Sequence, residues 1–389
     1  MRILHTSDWH IGRTFHGSST MDALAEVLGA LTVQVRDNEV DVVIVAGDVF
    51  DSATPAGPAY TLLSDTLLAL ADSGARVIVT SGNHDSAARL GFQARLLRDG
   101  IHVLTDPLAI GAPVTVADAD GPVHFFGIPY LEPAIVRQHF PAAGEGGAEL
   151  RTQAQTMAHA MSLVRAGMAE HEGRSVAIAH CFAAGVDATV GLEREVRQGG
   201  LDMVPLEVFD GPDYVALGHI HGRQQLSERV RYAGAPLHYS FGEQDKPRGS
   251  WLIDLDADGL ANVAWLALPV PRALVTLTGT LDDILSGDNV AAHAEHWVCA
   301  VYTDALPQAE PMRRLRERFP YCAMVQHQPA VTGAAEVRTY SERLRTAVTD
   351  TDRIEAFLEH VRAGQGASER ERVLIREVLD DRVRAEALV

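Results

Sequence analysis

Six short apolar runs punctuate the first half of the chain, at 2–6, 41–46, 75–80, 123–127, 175–179 and 213–217. They are rich in β-branched residues and have the length of buried strands. Between them, 21–36 and 58–72 carry helical periodicity. In the second, Leu63, Leu67 and Leu70 fall at i, i+4 and i+7, and Pro58 suits the first turn. The stretch 141–148 (PAAGEGGA) reads as a flexible loop, followed by a helix over roughly 150–171. Strands alternating with helices in this way call for an α/β layered domain.

Five of the six runs end in metal-binding residue types. The first ends in Asp8-Trp9-His10, the second in "AGDVFD" with Asp48 and Asp51, and the third in "SGNHDS" with Asn83, His84 and Asp85. The fifth ends at His180 and the sixth in "GHIH" with His219 and His221. In extended chain, residues i and i+2 share a side, so Asp8 and His10 converge on one point. In open α/β sheets ligands collect beyond the carboxyl ends of strands, so all five clusters are expected at one rim.

Asp8, His10, Asp48, Asn83, His180, His219 and His221 exceed what one tetrahedral ion needs. The set suits two metals sharing a bridging carboxylate, with Asp48 as the bridge because it follows the most apolar run. Mixed nitrogen and oxygen donors fit Mn²⁺, Fe²⁺ or Zn²⁺ better than Mg²⁺ alone. Two such ions clamp an in-line displacement at phosphorus. His84 is placed to protonate a leaving alkoxide, with Asp85 fixing its tautomer. Gly47 and Gly82 allow tight turns or close backbone approach. Asp51 reads as a supporting or turn-forming acid, Cys181 as a buried thiol turned away from His180, and Trp9 as packing. Arg13 and His16 lie just past the first motif.

The chain of 389 residues has a formal charge of −19, so its bulk field does not draw in nucleic acid. A nucleic-acid substrate would need bound metals, a local basic groove or a second subunit. The three scattered cysteines fit a reducing compartment without disulfides. No secretory signal and no membrane-length apolar run are read, so a cytoplasmic location is expected. A boundary is expected at "PVPR" (269–272). It separates a first domain, 1–270, from a small α+β domain over 271–340, with strands at 274–280, 297–303 and 321–327 and a helix after Pro311. In the final segment, 341–389, Ile354, Phe357, Leu358 and Val361 keep helical spacing. Asp352 with Glu355, and Ser368 with Glu371, match capping-box spacing, and "GQG" (364–366) separates two helices.

D-x-H, G-D-x-x-D, G-N-H-D, a lone His after a strand, and G-H-x-H, in that order, resemble the calcineurin-like metallophosphoesterase superfamily. The resemblance implies a two-sheet β-sandwich flanked by helices. It also implies one metal on Asp8, His10, Asp48 and His221, a second on Asp48, Asn83, His180 and His219, and His84 as catalytic acid. Ser52 stands where the superfamily's protein phosphatases carry Arg, which disfavours a phosphoprotein phosphatase. "TSDWHIGR", "GDVFDSATP" and "DYVALGHIH" are similar to the SbcD family, the nuclease subunits of bacterial SbcCD double-strand-break complexes. That similarity implies a manganese-dependent exonuclease and endonuclease on DNA ends or hairpins, serving repair, recombination and replication near the nucleoid. It implies a homodimer through helices near the active-site face, matched here by 58–72 and 86–98, with Leu63, Leu67, Phe92, Leu96 and Leu97. It further implies an SMC-like ATPase partner, SbcC, docked on Phe357, Leu358, Leu374 and Leu379. A small-molecule or cyclic-nucleotide phosphodiesterase and a non-cutting DNA-end scaffold are the competing readings.

Overall fold

The computed structural model describes residues 1–137, 140, 150–184, 203–329, 344–345, 347–362 and 366–386. The loop expected at 141–148, the 340/341 boundary and most of "GQG" lie outside these residues. The chain divides into two compact units, Met1–Ala273 and Leu274–Val389.

In the first unit the chain runs through β1 (Arg2–Thr6), a small hairpin of β2 (Thr14–Phe15) and β3 (Ser18–Ser19), and α1 (Met21–Asp37). It continues through β4 (Val42–Ala46), α2 (Gly57–Asp72), β5 (Arg76–Thr80), α3 (Ala87–Leu90) and β6 (Ile101–Leu104). A second series follows: β7 (Val114–Asp118), β8 (Gly121–Gly127), α4 (Pro133–Val136), α5 (Gln153–Glu170), β9 (Arg174–His180) and β10 (Tyr214–Gly218). The unit closes with β11 (Gln224–Gln225), β12 (Val230–Tyr232), β13 (Gly249–Asp256) and β14 (Gly259–Ala267).

These strands make two six-stranded sheets, ordered β14-β13-β1-β4-β5-β6 and β11-β12-β10-β9-β8-β7. Strands β1, β4, β5 and β6 are parallel, as are β8, β9, β10 and β12. The antiparallel members are β13 and β14 at one side of the first sheet, and β7 and β11 at the edges of the second.

Side-chain alternation sets the layers. Ile3, Val42, Ile44 and Ile78 face Val123, Phe125, Val176 and Ile178 across the sandwich. The other face of the first sheet, with Val43, Val45, Val77 and Val79, packs under Leu24, Leu28 and Leu31 of α1 and Leu63, Leu67 and Leu70 of α2. The outer face of the second sheet packs under Met157, Met161 and Val164 of α5. Helix, sheet, sheet and helix thus form four layers, the helix-flanked sandwich expected. Among the described residues, no helix is long and apolar enough to cross a membrane.

Two expected helical features differ. The segment 86–98 is not one helix: α3 ends at Gly91, and a 3-10 turn follows over Ala94–Leu96. In the second unit the helix Asp350–Val361 is capped one turn earlier than expected, by Thr349 and Asp352. The hydroxyl of Thr349 supplies the acceptor that the Asp352–Glu355 spacing assigned to Asp352. The Ser368–Glu371 box is formed. This second unit carries a parallel sheet of β15 (Leu274–Gly279), β16 (Trp297–Tyr302) and β17 (Cys322–His327), with a helix over Pro311–Arg316. Its terminal helices Asp350–Val361 and Glu369–Glu386 are joined by Arg362–Glu371 and Arg372–Glu355 ion pairs. Phe357 and Leu374 are about half exposed on them.

Candidate metal centre

The carboxyl ends of β1, β4, β5, β9 and β10 meet at one rim of the sandwich. Backbone bonds knit the first two loops together: Asp8 N–H donates to Gly47 O at 3.1 Å and His10 N–H to Asp48 O at 2.9 Å. Asp8, His10, Asp48 and His219 all adopt positive φ, at 54°, 46°, 48° and 106°. Such backbone costs a non-glycine residue on the order of 1–3 kcal/mol each and gathers where function holds it in place. Gly47 adopts φ 79°, and a Cβ on it would run into His180; a Cβ on Gly82 would run into Asp48.

The donor atoms lie close together. His10 Nε2 and His221 Nε2 are 3.1 Å apart, and His10 Nε2 is 3.6 Å from Asp48 Oδ2. His180 Nε2 lies 3.4 Å from Asp48 Oδ2 and 3.0 Å from Asn83 Oδ1, which is also 3.1 Å from His219 Nδ1. Donors held about 2.1 Å from one cation at 90–109° stand roughly 3.0–3.4 Å apart, so this spacing fits shared ions. Three overlapping groups have atoms mutually within 4.8 Å: Asp8, His10 and His221; Asp8, Asp48 and His180; and His10, Asp48 and His84. Asp8, His10 and Asp48 each belong to two of them. The donor set therefore fits a pair of divalent ions.

Charge follows the same geometry. Burial alone would depress His180, but the Asp48 carboxylate overrides it and holds the imidazole up to about 9. Asp48 is correspondingly held well below the usual carboxylate range despite its burial, by His180 and then His10. Burial and the neighbouring His180 push His219 down to about 3.

Asp85 corrects one expectation. It does not orient His84. Its carboxylate accepts the N–H groups of Val49 (3.0 Å), Phe50 (2.9 Å) and Gly82 (2.9 Å), stapling the second and third loops. Burial and the Asp48 charge push Asp85 up to about 6, against those three amides. His84 places Nδ1 3.0 Å from the Asp51 carbonyl, and its own N–H donates to Asp48 Oδ1 at 2.8 Å. The Asp51 side chain goes elsewhere, 3.3 Å from His10 Nδ1 and 2.9 Å from Arg13. Trp9 is fully buried, with its indole N–H on Thr6. Cys181 is buried in the outer core of the second sheet, and burial pushes its thiol up to about 12.

Sequence reading missed Ser7, whose hydroxyl donates to Asp8 Oδ2 at 2.5 Å. It also missed Glu243 and Arg248, a buried ion pair behind His221. These three lie outside the five motifs. Glu243 and Arg248 sit in the polar stretch SFGEQDKPRGS (240–250) and Ser7 between Thr6 and Asp8, so no local pattern singles them out.

Residues 1–223 match the family described as Calcineurin-like phosphoesterase. The chain is 35% identical over 303 residues to the D subunit of the nuclease SbcCD of Rhodobacter capsulatus, covering 74% of this chain and 75% of that one. Among solved structures it is similar to the TT1561 protein of Thermus thermophilus (TM-score 0.37, 13% identity, 68% of this chain, 98% of that one). It is also similar to a dimetal phosphatase of Danio rerio (TM-score 0.38, 15% identity, 69% and 98%), and both likenesses are too distant to bear on function. The family match spans every strand end that builds the rim, and the relative is alike over most of both chains, so the chain belongs to the calcineurin-like phosphoesterase family, close to SbcD.

Proposed function

We propose that the chain is a manganese-dependent DNA nuclease, cutting double-stranded ends as an exonuclease and single strands or hairpins as an endonuclease. It acts in double-strand-break repair and recombination, as the nuclease subunit beside an SMC-like ATPase. The observation that carries this reading is the convergence of His10, Asp48, Asn83, His180, His219 and His221 at one rim at donor spacings of 3.0–3.6 Å, with the Asp8 carboxylate within 4.8 Å of donors from His10, His221, Asp48 and His180. The likeness to a named nuclease subunit supports the choice of DNA over other phosphodiesters.

In this reading Asp8, His10, Asp48 and His221 hold one ion, and Asp48, Asn83, His180 and His219 hold the other. The ions, when bound, activate water and neutralise charge on the phosphoryl oxygens. The chain's own residues do the rest. Asp48 sits between His10 and His180 and fixes the spacing of the two positions. Asp85 holds the Asp48 and Asn83 loops in register through three amides. His84, with Nδ1 anchored on the Asp51 carbonyl and its ring edge-on to His10, presents Nε2 to the leaving oxygen and protonates it.

The net charge of −19 places the DNA-holding burden on the ions and on other subunits. A homodimer supplies one. Phe92 and Leu96 are 79% and 82% exposed, Tyr60 of α2 lines one groove with Phe92, and Leu68 of α2 is also exposed. A second copy covering this apolar surface brings two rims together. Phe357 and Leu374, exposed on the terminal helices, offer the ATPase its contact.

The purified chain with Mn²⁺ should degrade an end-labelled duplex, and His84→Ala and Asp48→Ala should not. A generic phosphodiester dye hydrolysed beside an intact duplex, with or without the ATPase, would shift the reading to a small-molecule phosphodiesterase.

A further inference from the structure

The imidazoles at the rim are not backed alike. His180 turns Nδ1 to a neutral group, the Ala46 carbonyl, at 3.0 Å. His221 turns Nδ1 to the Glu243 carboxylate in a 3.3 Å hydrogen bond, whereas His10 Nδ1 lies 3.3 Å from the Asp51 carboxylate without forming one. Glu243 is the more enclosed of these acids, at 5% exposure. Its Oε1 also accepts the Ser240 hydroxyl at 3.1 Å, and its Oε2 accepts the Tyr239 N–H at 3.2 Å. Arg248, 2% exposed, pairs with Glu243 Oε2 at 3.2 Å. The same guanidinium donates to the carbonyls of His221 (2.5 Å) and Ala235 (3.2 Å).

One buried ion pair thus grips His221 twice, by its ring and by its main chain. A buried pair is weak evidence for stability, because desolvation of both charges offsets their attraction. Its placement against a single side chain at the rim points to a positioning use. A carboxylate behind a ligating imidazole fixes its tautomer, leaving Nε2 free as the donor, and raises its basicity.

We propose that Glu243, held by Arg248, is a positioning residue for His221 and makes the Asp8–His10–His221 position the tighter of the two, so that it fills first. This rests on the dimetal reading above. Metal-free full-length chain would be titrated with Mn²⁺, following heat and the EPR signal of free Mn²⁺. Two binding steps are expected. Glu243→Gln should weaken the tighter step by about 10–100-fold and leave the weaker one in place. Glu243→Asp should recover part of the loss.

Glu243→Gln leaves Arg248 unpaired, so a Glu243→Gln, Arg248→Met double variant removes both charges. Its melting temperature in chelator checks the fold, and its tighter step should be weakened as in the single variant. In the Zn²⁺-loaded wild type, ¹⁵N shifts should show His221 protonated at Nδ1. Equal weakening of both steps, no weakening of either, or an unprotonated Nδ1 overturns the proposal and leaves the dimetal reading standing. A wild-type chain that binds no Mn²⁺ overturns the dimetal reading itself.

Discussion

In the metal-free chain the Asp48 carboxylate, 3.4 Å away, favours a proton on His180, and an incoming ion must displace that proton. Because Asp48 holds His180 up to about 9, the metal-free pair is protonated at neutral pH. The sign follows: affinity falls as pH drops and rises until the pair is bare. Metal uptake near neutral pH should release at least one proton, and affinity should climb by roughly tenfold per pH unit below that pKa. Calorimetry in buffers of different protonation enthalpy reads the release directly, and heats that are the same in every buffer would refute a protonated His180. Asp85 makes a second test at this scale. Asp85→Ala leaves three enclosed N–H groups without their acceptor, so a loss of about 2–4 kcal/mol is expected in denaturant unfolding, with weakened metal binding. The residue types at the rim were legible in the sequence because Asp, His and Asn after apolar runs have few other uses at that density. The partner of each was not. Asp85 beside His84 looked like an orienting acid, yet one residue of offset along a turning loop sends the two side chains to different groups. Glu243 and Arg248 reach His221 from a later turn, which no spacing reveals.

The elements most visible in the sequence were those with a single environment. Strands β1, β4, β5, β9 and β10 are buried on both faces, so they read as unbroken apolar runs. Edge strand β7 alternates part-buried and exposed residues and β11 is two glutamines, so neither carried such a signal. The broken segment after α3 failed for a local reason, since Gly91 ends the helix and its Cβ-less backbone sits against Thr105. At this scale the strand-to-loop exits matter most, because they aim the donors. Gly82→Ala puts a methyl into the Asp48 backbone and carboxylate, which two rigid strands prevent from yielding. The expected result is loss of both Mn²⁺ binding steps, with a stability cost of about 1–3 kcal/mol in chelator. Retained stoichiometric binding would show that the third loop has more freedom than its contacts imply.

Across the whole first unit, one rim of the sandwich carries function and the opposite rim carries a clamp. Arg174 opens β9 at that opposite end and is 5% exposed. Its guanidinium pairs with Asp118 at 2.5 Å in its own sheet and donates to the carbonyls of Leu255 (3.4 Å) and Asp256 (3.2 Å) in the other. It therefore ties the two sheets where the hydrophobic seam between them ends. Arg174 holds the Asp118 carboxyl well below its usual range. A depressed carboxyl contributes stability that is present above its unfolded pKa, about 3.9, and lost as pH falls through its folded value. Arg174→Ala removes the guanidinium from the Gly121 and Asp256 carbonyls, one in each sheet, while Met1 N still holds Asp118 and the Leu255 carbonyl. Unfolding should cost about 2–4 kcal/mol less at neutral pH, and the gap from wild type should narrow on acidification below about pH 4. Mn²⁺ stoichiometry should stay at two, because no donor at the functional rim touches Arg174. A variant that folds yet binds fewer ions would mean that sheet-to-sheet spacing at the far end sets donor spacing at the near one, and the sandwich would then act as a lever instead of a fixed frame.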